Sequence, residues 1–343
     1  MSDLASEARP ILRVEDLHKT FPVERGFLRR VSGHVRAVDG VGFSIRRGEA
    51  LGLVGESGCG KTTTARCIVR AVQPTSGSIL FRWNGGDVDM AKLEKAELAE
   101  VRRHVQMIFQ DPYSSLNPRM PVLDLVAEPL RAHGWKRRRC EERVAELLDL
   151  VGLDPRYQRR YPHAFSGGQR QRIGIARALA LEPSLVIADE PVTALDVSVQ
   201  AQILNLLRDM QDRMELTYLL IAHDLSVVRY ICDRVAVMYL GKLVEVGDTE
   251  RILVRPRHPY TSLLLSAVPD VDPSSSWLGD VDASGEAPVG ADWSEGCAFA
   301  PRCPHAVDVC RRGVPPLADV GAEGESEHLS ACLRAGEVDL PGL

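Results

Sequence analysis

The segment Gly55-Glu56-Ser57-Gly58-Cys59-Gly60-Lys61-Thr62 constrains this chain most, because it fits G-x-x-x-x-G-K-[ST] directly after a strand-like run, Leu51-Gly52-Leu53-Val54. Glycines at that spacing let backbone N–H groups approach phosphate. The lysine neutralises the anion, and the threonine hydroxyl reaches Mg²⁺. Thr63 to Val72 then predicts a helix whose N-terminus meets the phosphate. Residues Gly55 to Thr63 are therefore candidate nucleotide ligands within an α/β fold.

The rest of the chain extends that fold. Ile11 to Phe21 and Ala37 to Ile45 alternate as strands, joined by a basic loop around Gly26 to Gly33, and Val105 to Phe109 is a further strand. Val122 to Ala132 and Cys140 to Val151 carry helical periodicity, with Gly152 as a stop, so residues 111–181 read as a helical subdomain inserted in the α/β core. Strand and helix alternate again in Leu185 to Ala188, Val199 to Met214, Tyr218 to Ala222 and Ser226 to Cys232, as a parallel sheet flanked by helices requires. Val235 to Tyr239 and Lys242 to Val246, parted by Gly241, predict a closing hairpin. From Arg255 the composition shifts to Pro, Ser, Gly and Asp, giving a division into 1–254 and a loop-rich extension, 255–343.

Charge and hydropathy exclude other classes. A net charge of -5 opposes a broad nucleic-acid surface. The run Lys136 to Arg139 reads as the solvated start of a helix rather than a phosphate patch. The longest apolar stretches are strand-length, short of the roughly 20 residues a membrane helix needs. The polar, acidic start Met1 to Pro10 shows no secretory signal, so the expected location is cytoplasmic.

Leu185-Val186-Ile187-Ala188-Asp189-Glu190 is an apolar strand ending in two carboxylates, which suits a Walker B role. Asp189 would orient the Mg²⁺ shell, and Glu190 would act as general base on the attacking water. Gln110 and His223 each end a predicted strand, at the sheet edge where ligands of open α/β sheets bind.

Phe165-Ser166-Gly167-Gly168-Gln169 lies between the phosphate loop and this carboxylate pair. With it the chain resembles the nucleotide-binding subunits of ABC transporters, whose signature reads Leu-Ser-Gly-Gly-Gln, phenylalanine here replacing leucine. The resemblance implies a P-loop NTPase fold of RecA-like type and an ATPase using ATP and Mg²⁺. It makes Gln110 the Q-loop glutamine, which senses Mg²⁺ and the membrane partner. It makes His223 the γ-phosphate switch, Asp196 the D-loop aspartate and Phe21 the adenine-stacking aromatic. Ser166, Gly167, Gly168 and Gln169 open a predicted helix over Arg170 to Ala180, and in the family they close on ATP held by another subunit.

Three further stretches are similar to oligopeptide and dipeptide permease ATPases: Gly26-Phe27-Leu28-Arg29-Arg30, Gln110-Asp111-Pro112-Tyr113-Ser114-Ser115-Leu116-Asn117-Pro118-Arg119, and His258-Pro259-Tyr260-Thr261 with Leu263 to Pro269. The long first loop is more like the second ATPase of such systems. The implied partners are a paralogous ATPase subunit, two integral-membrane permease subunits and an extracytoplasmic substrate-binding protein, with no nucleic acid. The location so implied is the cytoplasmic face of the membrane. Importers of nickel or other small solutes have close relatives of this type, and a soluble non-transport cassette ATPase is the more distant alternative.

Of the eight cysteines, Cys59, Cys67, Cys140 and Cys232 scatter through the core, whereas Cys297, Cys303, Cys310 and Cys332 gather near the C-terminus. Lasting disulfides do not suit a cytosolic chain, so four gathered thiols suggest a metal. Their spacing matches neither ferredoxin runs nor a paired zinc motif. Gly296-Cys297-Ala298-Phe299-Ala300-Pro301-Arg302-Cys303-Pro304 resembles the C-terminal motif of peptide-permease ATPases, some of which hold a [4Fe–4S] cluster. Zinc and free thiols stay open as alternatives.

Overall fold

Apolar runs with no polar alternation need cover on both faces, and the central sheet has it. The computed structural model of the chain describes residues 9–25, 30–111, 115–193, 195–266, 295–321 and 326–342. An eight-stranded sheet holds β3 (Ala50–Val54), β6 (Val105–Ile108), β7 (Leu185–Asp189), β8 (Thr217–Ala222), β9 (Arg234–Tyr239), β10 (Lys242–Asp248), β11 (Ala318–Asp319) and β12 (Leu329–Ser330). Their order is β11-β12-β10-β9-β3-β8-β7-β6. The pairs from β9 through β6 are parallel, and β9-β10 closes antiparallel.

Side chains along these strands point alternately to two cores. Leu51, Leu53, Leu185, Ile187, Leu219 and Ile221 face one, while Val54, Val186, Ala188, Leu220 and Val237 face the other. The first core is roofed by a four-stranded antiparallel sheet, β2-β1-β4-β5, built from β1 (Leu12–Arg25), β2 (Arg30–Ile45), β4 (Ser76–Trp83) and β5 (Gly86–Asp89). Helix α1 (Lys61–Ile68) packs here too, through Ala65, Cys67 and Ile68. The second core takes the buried faces of α3 (Val122–Ala132), α4 (Arg137–Leu150), α5 (Gly167–Ala178), α6 (Val197–Met214) and α7 (Leu225–Ile231).

Differences from the sequence reading have local causes. The region between α1 and β6 carries β4, β5 and α2 (Lys95–Arg102), for which the sequence pattern gives no clear periodicity. The loop expected over 26–33 is narrower, because β1 runs to Arg25 and β2 begins at Arg30; Gly26 to Arg29 lie outside the described residues. The basic run, by contrast, is the expected solvated helix start: it opens α4, where Arg137 and Arg138 pair with Glu141 and Glu142 at 2.9 and 3.1 Å on an exposed face. Past residue 254, α9 (Pro259–Ser266) follows the short helix α8 (Thr249–Val254), and β12 adds to the main sheet beside β10. Buried Tyr260 and Phe299 join the second core. Among the described residues no helix is long and apolar enough to cross a membrane.

Candidate nucleotide site

Strand β3 delivers the phosphate loop at its carboxyl end, and glycine is sterically required there. At Gly60 (φ 113°) a Cβ atom would sit 2.1 Å from the Ala37 carbonyl oxygen. At Gly55 it would sit 2.1 Å from the Met238 carbonyl. Only glycine permits both the dihedral and the approach.

Lys61 is 4% exposed, and its ammonium donates to the carbonyls of Gly55 at 2.7 Å and Glu56 at 2.9 Å. The loop thus holds its own cation. Ser57 and Gly58 are exposed at the outer turn, and Cys59 is buried with its thiol pushed up by burial. Thr62 and Thr63 open α1, whose N-cap is Gly60.

Two carboxylates meet this loop with different environments. The Thr62 hydroxyl donates to Asp189 Oδ1 at 3.0 Å, joining the first turn of α1 to the end of β7. Asp189 is 2% exposed, and burial holds its carboxyl above the usual range, Thr62 pulling it back and the Glu190 charge adding to the rise. Glu190 has a left-handed backbone (φ 46°), unusual outside glycine. Its amide donates to the Ile221 carbonyl at 3.0 Å.

Glu190 Oε2 gathers the remaining polar residues. Gln110 Nε2 donates to it at 2.8 Å, the Thr193 hydroxyl donates at 3.1 Å, and His223 Nδ1 lies at 3.4 Å. Gln110, Glu190 and His223 therefore converge from the ends of β6, β7 and β8. A divalent ion suits the Thr62-Asp189 pair, since hard cations take oxygen ligands.

The signature stands apart at the start of α5. Ser166 caps the helix: its hydroxyl accepts from the Gln169 amide at 3.4 Å, and its own amide donates to Gln169 Oε1 at 3.1 Å. Phe165 is buried edge-on against Tyr157, 5.7 Å between rings, so the replaced leucine is still an apolar anchor. A Cβ on Gly168 would meet Val199 Cγ1 of α6 at 2.5 Å. Asp196 stands at the N-cap position of α6 without a side-chain cap bond and is exposed, while Ala194 lies outside the described residues. Phe21 in β1 is 39% exposed, with Lys19 Nζ 4.8 Å from its ring centroid. Pro112, Tyr113 and Ser114 also lie outside the described residues.

Cys297, Cys303, Cys310 and Cys332 line one apolar cavity with His258 and Phe299. Burial raises the Cys297 and Cys332 thiols and lifts Cys303 to about 11, with neighbouring cysteines adding to each rise. His258 is fully buried and driven down to about 3, so it is neutral, with Nδ1 accepting from the Tyr260 amide. Among the described residues, no three His, Cys, Asp or Glu side chains are arranged to hold a metal ion. A ready-made zinc tetrahedron therefore does not fit.

Sequence reasoning overlooked Thr193, Tyr260 and Arg302 as site neighbours. Tyr260 Oη accepts from the Glu56 amide at 2.8 Å, and Arg302 forms a double hydrogen bond to the Glu56 carboxylate. Tyr260 and Arg302 lie within stretches singled out above, but no spacing rule places residues some two hundred positions away against a phosphate loop.

The ABC transporter family profile matches residues 38–193, and the profile for the oligopeptide/dipeptide transporter C-terminal region matches 244–310. The chain is 48% identical to the oligopeptide transport ATP-binding protein AppF of Bacillus subtilis, over 96% of this chain and 98% of that one. It is 51% identical to a probable peptide ABC transporter ATP-binding protein of Sinorhizobium fredii, over 90% and 86%. A dimeric ATP-binding cassette, MJ0796, solved in a post-hydrolysis state with ADP and phosphate, superposes with a TM-score of 0.60 at 27% identity, over 69% of this chain and 98% of that one. With a phosphate loop, facing carboxylates and signature helix on one fold, the chain belongs to the ABC transporter ATP-binding proteins, in their oligopeptide/dipeptide branch.

Proposed function

We propose that this chain is the ATP-hydrolysing motor subunit of an importer for oligopeptides or dipeptides. One observation carries the catalytic part: Glu190 is oriented by Gln110 and Thr193, with His223 beside it, next to a Thr62-Asp189 pair and a loop-held Lys61. The peptide substrate class rests on the relatives' names and on the C-terminal match.

Bound Mg²⁺ supplies charge neutralisation at the β- and γ-phosphates. Thr62 and Asp189 would hold its shell, and Gln110 would sense its presence. Lys61 exchanges its carbonyl partners for phosphate. Glu190 takes a proton from water, and His223, half exposed, is free to reach the γ-phosphate. Phe21 offers its exposed ring to adenine.

The signature Ser166 to Gln169 is exposed at Ser166, and its helix N-terminus suits an anion presented from outside the chain. It therefore serves a second subunit's ATP, with Asp196 at the junction. That second subunit is a paralogue, and the pair works beneath two membrane permeases fed by an extracytoplasmic binding protein, at the cytoplasmic face of the membrane. Residues 1–254 form the cassette, with the helical subdomain at 111–181 receiving the permeases, and 255–343 form the extension. The four thiols around one apolar cavity are of the ligand type that an iron–sulfur cluster takes, and the C-terminal motif that carries two of them supports that reading. Cys297, Cys303, Cys310 and Cys332 would hold it, and its contribution there is structural.

Replacing Glu190 by Gln keeps the hydrogen bonds and removes the base. Turnover is expected to fall roughly 10²–10⁴-fold while an ATP-bound dimer accumulates on size exclusion. Near-normal hydrolysis by E190Q would refute the general-base assignment.

A further inference from the structure

The C-terminal region reaches across the fold to the phosphate loop. Arg302 Nη1 and Nη2 donate to the two Glu56 carboxylate oxygens, each at 2.9 Å, a bidentate fork. The Arg302 side chain is 10% exposed and lies beside the rings of Tyr239 and Phe299, its guanidinium carbon 5.8 and 5.7 Å from their centroids. Glu56 hydrogen bonding holds the guanidinium well above its ordinary range.

The backbone of Glu56 is pinned as well. Its amide donates to Tyr260 Oη, and its carbonyl accepts from Lys61 Nζ. Glu56 is the second residue of the loop, and its charge already acts on Cys59 inside the loop. An uncompensated carboxylate there would oppose a polyphosphate arriving at the same loop.

We propose that Arg302 is a positioning residue for nucleotide: by neutralising and fixing Glu56 it keeps the phosphate loop receptive to a triphosphate, so ATP affinity depends on the C-terminal segment being docked. The segment that carries Arg302 also carries Cys303, the next residue, so displacing it from the core withdraws the fork from the loop. Two features separate this from a merely structural clamp. Charge compensation matters more for ATP than for ADP, and salt screens it.

The inference rests on the ATP-binding reading of the loop, and titration of the full-length wild-type chain with Mg-ATP tests that reading separately: no binding would refute the reading itself. Calorimetry with Mg-ATP and Mg-ADP is then repeated on variants. Arg302→Met is expected to weaken ATP by about tenfold and ADP by less, the gap narrowing between about 0.05 and 0.5 M salt. The double variant Glu56→Gln/Arg302→Met should bind ATP within about threefold of Glu56→Gln, because removing the carboxylate removes the need for its partner. ATP binding by Arg302→Met within twofold of wild type overturns the proposal, as does an equal loss for both nucleotides that Glu56→Gln does not rescue. Should Arg302→Met fail to fold, Arg302→Gln keeps a donor to Glu56 but removes the charge. Its ATP affinity should drop about threefold more than its ADP affinity, and equal drops would overturn the proposal.

Discussion

The carboxylate edge of the sheet and the cysteine cavity are both clusters of ionisable groups, yet they are built on opposite principles. At the edge, each charged group already has a partner of complementary character: Lys61 has carbonyls, Asp189 has the Thr62 hydroxyl, and Glu190 has Gln110 and Thr193. In the cavity, three of the four thiols are raised by burial and by one another, and apolar groups line the space between them. A site that trades ligands on every cycle keeps its charges satisfied between cycles. In the cavity burial keeps these thiols protonated, so their charge would appear only with a bound cation to offset it.

The largest expected break comes from Asp189→Asn. Mg²⁺-dependent turnover should fall by at least about 10²-fold, since a neutral amide cannot neutralise the metal shell. Stability should move the other way. Because burial raises the Asp189 carboxyl above its unfolded value, its ionised form opposes folding above the folded pKa, and that opposition fades as pH falls through it. The nucleotide-free variant should therefore melt higher than wild type at pH 8, the difference shrinking as pH falls, while stabilisation by Mg-ATP disappears. A lower melting point for D189N at pH 8 would break the account of a ligand-ready but strained edge.

The cavity is tested next. Anaerobically purified protein should carry iron and acid-labile sulfide with a visible charge-transfer absorbance, and Cys303→Ser should reduce both and lower thermal stability by several degrees. Colourless protein with all four thiols titratable would leave the contrast standing in charge but not in occupancy.

Legibility followed the same divide. Asp189, Glu190, Gln110 and His223 were readable because each lies at or just past the end of a parallel strand, and topology carries such ends to one edge, while Lys61 and Thr62 were readable from the loop motif that follows β3. The apolar strands were readable because burial on both faces removes alternation. The segment 73–104 was not, since β4 and β5 alternate only weakly and α2 is short, so the pairing of β4 with β1 and of β5 with β4 supplies what local pattern lacks. The contacts of Tyr260 and Arg302 with Glu56 depend on the C-terminal region folding back onto the second core, a tertiary fact without a local signature. The cysteines were legible as a group but not as a geometry, because their spacing fixes no distances.

The smallest effect sharpens where the two regions join. Tyr260 packs its ring against Tyr239 and Phe299, with centroids 4.5 and 5.5 Å away, so Tyr260→Phe leaves the apolar contacts in place and removes only the oxygen facing the Glu56 amide. An unsatisfied amide at a part-buried site costs about 1–3 kcal/mol, and partial access of water to the loop places this case near the lower end. Urea unfolding should show a loss of about 1 kcal/mol, and ATP affinity should fall by less than tenfold because the Arg302 fork still holds the carboxylate. A loss above about 3 kcal/mol would mean that the ring itself had shifted, and with it the wall that both regions share. No measurable loss, with Arg302→Met still impairing ATP binding, would assign the whole connection to the charge pair.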